Sequence, residues 1–250
     1  MLWQIDKMAT RTANNSRSDA QHPARAAASF LKATLAIVWK DMAAELRSRE
    51  LFSAMLVFSL LVILIFNFAL ELDIKTRQSV TAGVLWVTFA FAGTLGLGRS
   101  MAVEKDRGCL DGLLLAPVDR TAIYFGKAIS NLGFMLIVEA IVLPIYSFLY
   151  NVDLSNPGLL LVILLGSIGY TVVGTLLASM AIQARTRDVL LPILLFPVVI
   201  PVLIAAVKAS GGFLTGDSII NILPWINLLI VYDLIFIAIA FMVFDFVVEE

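Results

Sequence analysis

From Leu51 to Leu70 the chain runs for twenty residues without a charged side chain. A helix needs about 20 mainly apolar residues to cross the hydrocarbon of a bilayer, so this run is long enough to span one. Five more stretches of this kind follow, over residues 80–97, 122–150, 159–182, 189–207 and 222–248. Composition points the same way: 60% of residues are hydrophobic and 15% charged, with mean hydropathy +0.93. A soluble domain is about 45–50% apolar and about 25% charged, so lipid has to be the solvent for much of this surface. Unpaired backbone groups cannot face lipid, and the alternating pattern of a membrane β-barrel is absent. The predicted fold class is therefore all-α, a polytopic bundle of six transmembrane helices.

Basic residues set the expected orientation, because Lys and Arg concentrate in cytoplasmic loops. Fifteen of the 18 Lys and Arg residues fall before the first span, between the second and third together with Lys127 at the start of the third, or between the fourth and fifth. Lys75, Arg77 and Lys208 are left for the other side. Both termini are expected in the cytoplasm, with Tyr150, Trp225 and Tyr232 near the outer interface as anchors. Pro192, Pro197 and Pro201 interrupt the fifth span. Each removes a backbone donor and favours a kink, and a bent packing helix is preferred here to a functional hinge.

Several function classes drop out at this stage. Net charge is −1, which gives no bulk attraction to nucleic acid. A single cysteine, Cys109, allows no internal disulfide. The single histidine, His22, lies in a polar N-terminal tail, which leaves no Cys/His set for a metal. No metal site and no catalytic residue are predicted. Residues 1–28 read as a disordered tail with no apolar signal core, and no convincing internal repeat relates the two halves of the chain.

Residues 29–50 form a separate unit. Leu31, Leu35, Val38, Met42 and Leu46 recur at helical spacing, while Lys32, Lys40 and Arg47 occupy the other side. This predicts an amphipathic elbow helix along the cytoplasmic membrane surface, presenting Leu35, Trp39, Met42 and Leu46. Residues 51–250 then make up the transmembrane domain.

The loop after the second span, Arg99–Lys127, is too polar for lipid at Glu104-Lys105-Asp106-Arg107, yet it then offers Leu110, Leu113, Leu114 and Leu115 between Gly108 and Pro117. A short apolar helix on such a loop can lie on the membrane or fill a partner's groove; composition leaves both open.

The run E-K-D-R-G-x-L-x-x-L-L-x-x-P from Glu104 to Pro117, with Arg120 and Gly126-Lys127 after it, resembles the loop signature of type-2 ABC exporter permeases. Trp39–Leu51, Asn67–Glu71 and Leu190–Pro197 narrow the resemblance to the CcmB family of haem exporter permeases in cytochrome c maturation. It covers about Phe30 to Val248, and the polar extension before residue 28 has no match in the family pattern. The resemblance implies a bacterial inner-membrane permease subunit whose loop is a coupling helix docking into a separate ATPase. Glu104, Arg107, Gly108, Leu110, Leu113, Leu114 and Pro117 would make that contact. It further implies a haem-handling membrane subunit, a small single-span subunit, a periplasmic haem chaperone and a second copy of this chain as partners. ATP and Mg would sit on the partner ATPase, with haem handled by the complex and no cofactor bound directly here. The alternatives are a permease for a glycan, lipid or drug, or a membrane scaffold without transport.

The residues agree that energy must come from another chain. A phosphate cradle needs G-x-x-x-x-G-K-[ST]; the nearest match, Gly126-Lys127-Ala128, lacks the first glycine and the hydroxyl residue. Glu139, Asn131 and Asp233 form a candidate intramembrane polar set. A charged residue at mid-helix costs roughly 2.5–3.5 kcal/mol on insertion, so the carboxylates are expected to face protein. The bland role is an interhelical hydrogen bond and the sharper one a site on a pathway, with Asp233 expected close to the outer interface. No Gly-x-Gly-Asp run supports an intramembrane protease.

Overall fold

The computed structural model describes residues 30–69, 74–106, 119–182, 184 and 186–247. Among these, all regular structure is helical. Helix α1 covers residues 30–48. Then come α2 (Glu50–Ala69), α3 (Ile74–Asp106), α4 (Arg120–Tyr150), α5 (Pro157–Ala181), α6 (Arg187–Thr215) and α7 (Ile219–Val247). The helices α2 to α7 are each long and apolar enough to cross a membrane, as the six predicted spans require. The polytopic helical bundle is thus observed, with α3, α6 and α7 running beyond the predicted limits.

Local chemistry fixes the helix ends. At the elbow, Arg49 sits in the left-handed region at φ 53, and the Glu45 side chain accepts from the Phe52 backbone N–H at 2.9 Å. That capping contact satisfies one of the orphan donors at the start of α2. Asp119 caps α4 by accepting from Thr121 N. Asn156 caps α5 ahead of Pro157, a residue suited to a first helical turn. Helices α4 and α6 stop at left-handed Asn151 and Gly216. The three prolines of α6 lie inside one continuous helix, so a pair of half-helices is not formed.

Helices α3 and α5 form the centre: 72% of each spanning window is buried, against 22–33% for the others. They pack against each other; α4 and α6 lie against both, while α2 and α7 are peripheral. A core from Leu51 to Tyr232 runs through all six. The starts of α2, α4 and α6 share one face of the bundle with α1.

The candidate polar core and the α1 junction

Helix α4 turns Asn131 and, eight residues further on, Glu139 toward α5. Residues at this spacing line one helix face. The antiparallel α5 answers with Thr175 and Ser167. Asn131 Nδ2 donates to Thr175 Oγ1 at 3.0 Å, and Ser167 Oγ donates to Glu139 Oε1 at 2.6 Å. The two bonds are eight residues apart on each helix, so they fix the register of the pair. Glu139 is 2% exposed and Asn131 6%. Glu139 Oε2 has no hydrogen-bond partner among the described residues. Glu139 thus bonds across to α5 through one oxygen.

Asp233 belongs elsewhere. It is the central residue of Ile219–Val247, which corrects the expectation of a place near the outer interface. Its carboxylate lies against Gly169, where an added Cβ would collide with Oδ1. Neither oxygen has a partner among the described residues. Ser167 and Gly169 are two positions apart on α5 and so point away from each other. Glu139 and Asp233 therefore address different sides of that helix, and the sequence-predicted polar set is not one cluster. Asn131→Ala removes an interhelical bond of the kind that averages about 0.6 kcal/mol in membrane helices. The expected result is a loss of that order, read as a small shift of the unfolding midpoint in detergent.

Tyr150 and Tyr232, expected as interface anchors, do something different. All five phenols donate to a backbone carbonyl of another helix: Tyr124 to Val172, Tyr146 to Thr81, Tyr150 to Ile63, Tyr170 to Ala90 and Tyr232 to Val198. A carbonyl already bonded within its helix keeps a second lone pair, and a phenol buried in an apolar bundle needs an acceptor. Tyr150 and Tyr232 are accordingly buried rather than displayed at an interface. Trp86, too, is buried, and its indole N–H donates to Ser210 Oγ at 3.0 Å.

The strongest electrostatic contact joins α1 to α4. Lys127 Nζ lies 2.8 Å from Asp41 Oδ2, with side chains 3% and 9% exposed. Around it Thr34 Oγ1 donates to Ala122 O, and Gly126 packs so closely under Ile37 that a Cβ there would clash. Helix α1 thus docks on the bundle through Thr34, Ile37 and Asp41, while Leu35, Trp39 and Leu46 stay 65–77% exposed and Met42 is half-buried. Gly126-Lys127 serves this packing. Sequence reasoning missed the pair because Asp41 and Lys127 are far apart in the chain; the one clue was an acid inside the apolar repeat of α1.

Of the residues expected to contact an ATPase, only Glu104 falls within a described helix. Arg107, Gly108, Leu110, Leu113, Leu114 and Pro117 lie outside the described residues. The stems on either side are described. Before the loop, Lys105 Nζ donates to Ile182 O, at the C-terminal end of α5, at 2.9 Å. After it, α4 begins at the Asp119 cap and is held to α1 by Lys127.

The chain matches the family model described as CcmB protein over residues 32–247. It is 28% identical to Heme exporter protein B of Rhodobacter capsulatus over 175 residues, covering 68% of this chain and 78% of that one. Identity to Heme exporter protein B of Bradyrhizobium diazoefficiens is 27% over 164 residues, covering 64% and 72%. For the protein of that name from Pseudomonas aeruginosa it is 25% over 172 residues, covering 68% and 77%.

Proposed function

Because the chain belongs to the CcmB protein family, we propose that it is the transmembrane permease subunit of an ABC complex that handles haem for cytochrome c maturation. In this reading it is not an enzyme by itself. A separate ATPase binds ATP and Mg and docks on the loop from Glu104 to Pro117. Closure of the ATPase pulls the loop, and the helices respond by moving haem or by releasing a haem-loaded periplasmic chaperone. The other partners are a haem-handling membrane subunit, a small single-span subunit and a second copy of this chain. The complex sits in the bacterial inner membrane with both termini of this subunit in the cytoplasm.

The observation that carries the mechanical part is the fastening of the loop stems. One stem is tied to α5 through Lys105 and Ile182 O; the other is tied to α1 through Lys127 and Asp41. A displacement of the loop therefore reaches two elements at once, the central helix and the elbow helix. Aspartates at Leu113 and Leu114 put charge where an apolar groove is expected, and desolvating an unpaired charge at an interface is costly. Leu113→Asp with Leu114→Asp is expected to abolish co-purification of the ATPase while the variant still inserts. An undiminished amount of ATPase on the variant would remove the docking role.

A further inference from the structure

We propose that the crevice between α3 and α6 is a selective site for an anionic phospholipid, with the acyl chain in the crevice and the phosphate on Lys208. This inference stands apart from the haem-handling reading and does not depend on it.

The crevice has a volume of about 540 Å³ and is lined on α3 by Gly83, Val87 and Phe91, and on α6 by Phe196, Ile204 and Lys208 among others. Apart from Lys208, every residue lining it is apolar. Its depth comes from Gly83, where an added Cβ would meet nothing within 4 Å. Phe91 and Phe196, with ring centroids 5.2 Å apart, close it at the inner end.

Three features select the occupant. Lys208 is the sole charged residue from Val189 to Thr215, and it is exposed on a helix face that looks out between α3 and α6. A lysine on a lipid-facing surface is unfavourable at depth unless its ammonium reaches a head group. Lys208 lies seven residues from the end of α6 at Thr215, about 10 Å at the helical rise, within snorkelling distance of the interface opposite α1. From Lys208 down to Phe196 is twelve residues, or about 18 Å, which is close to the roughly 15 Å depth of one leaflet's hydrocarbon. A cation at head-group level above an apolar slot one leaflet deep matches an anionic phospholipid. A second copy seated here about an axis normal to the membrane would instead bring two Lys208 ammoniums to the same depth, with no carboxylate lining the crevice between them.

The full chain, reconstituted in nanodiscs of equal phosphatidylglycerol and phosphatidylcholine and released into native mass spectrometry, tests the site. The wild type is expected to retain phosphatidylglycerol over phosphatidylcholine roughly five-fold, the preference one basic residue at an anionic surface supports. Lys208→Gln should retain the two lipids equally. Gly83→Leu, at a position where an added Cβ meets nothing within 4 Å, puts bulk into the slot and should lower retention of both. No enrichment in the wild type, wild-type enrichment in Lys208→Gln, or undiminished retention of both lipids in Gly83→Leu would overturn the site. So would efficient disulfide formation between copies carrying Val87→Cys, since that places a second chain where the lipid belongs.

Discussion

Asp41→Ala is expected to destabilise the bundle by about 3–5 kcal/mol, the usual cost of removing one partner from a buried ion pair. Lys127 is eight residues into α4 and only 3% exposed, so its ammonium cannot exchange the lost carboxylate for bulk water without α1 moving. The loss should appear as a large fall in the unfolding midpoint, together with new protease sensitivity in residues 30–48. The double variant Asp41→Leu with Lys127→Met removes both charges and keeps apolar volume, and should recover most of the stability. If Asp41→Ala unfolds with the wild type, the α1 junction does not rest on this pair. If the double variant is as weak as the single one, the effect is packing rather than charge.

Gly166→Leu is the second substitution expected to act strongly. The Trp86 ring lies where a Cβ on residue 166 would be, and the indole cannot simply turn away. It is held by its bond to Ser210 Oγ and by edge contact with Phe89 at 5.9 Å. Overpacking of this kind typically costs about 1–3 kcal/mol and sometimes more. Here it wedges α3 from α5, the two central helices, and strains the Trp86 tie to α6, so the upper end of that range is expected. Gly166→Leu combined with Trp86→Ala vacates the space and should regain part of the loss. Additive destabilisation in the double variant would mean that the two residues are not opposed.

The six spans were legible because lipid imposes a length and a composition that can be counted along one chain. The charge bias behind the expected direction and the apolar spacing along residues 30–48 are local patterns of the same kind. What the sequence concealed depends on which helix faces which. Asp41 and Lys127 are 86 positions apart, and only the fold makes them a pair. Asp233 was expected near the outer interface although it lies within two residues of the middle of 222–248; in Ile219–Val247 it is the central residue, so the depth assigned to it was at fault and not the boundary. Tyr150 and Tyr232 looked like interface anchors because their chemistry suits a wet boundary, whereas their acceptors are carbonyls on neighbouring helices, which no side-chain pattern advertises. Glu139 was correctly read as facing protein, but its partner Ser167 looked like any small residue in a helix rich in glycine.

The anchoring of the stems by Lys105 and Lys127 also bears on the entropy of recognition. A segment with free ends has to lose the freedom of bringing those ends together when it meets a partner, and that cost grows with the logarithm of its length. Here both ends are fixed by contacts inside the bundle, so this freedom is already lost when the chain folds. A partner that engages the segment between these two anchors meets ends already held and needs correspondingly less interface. Loosening either anchor should therefore weaken the partner's grip even though no residue in the interface has changed.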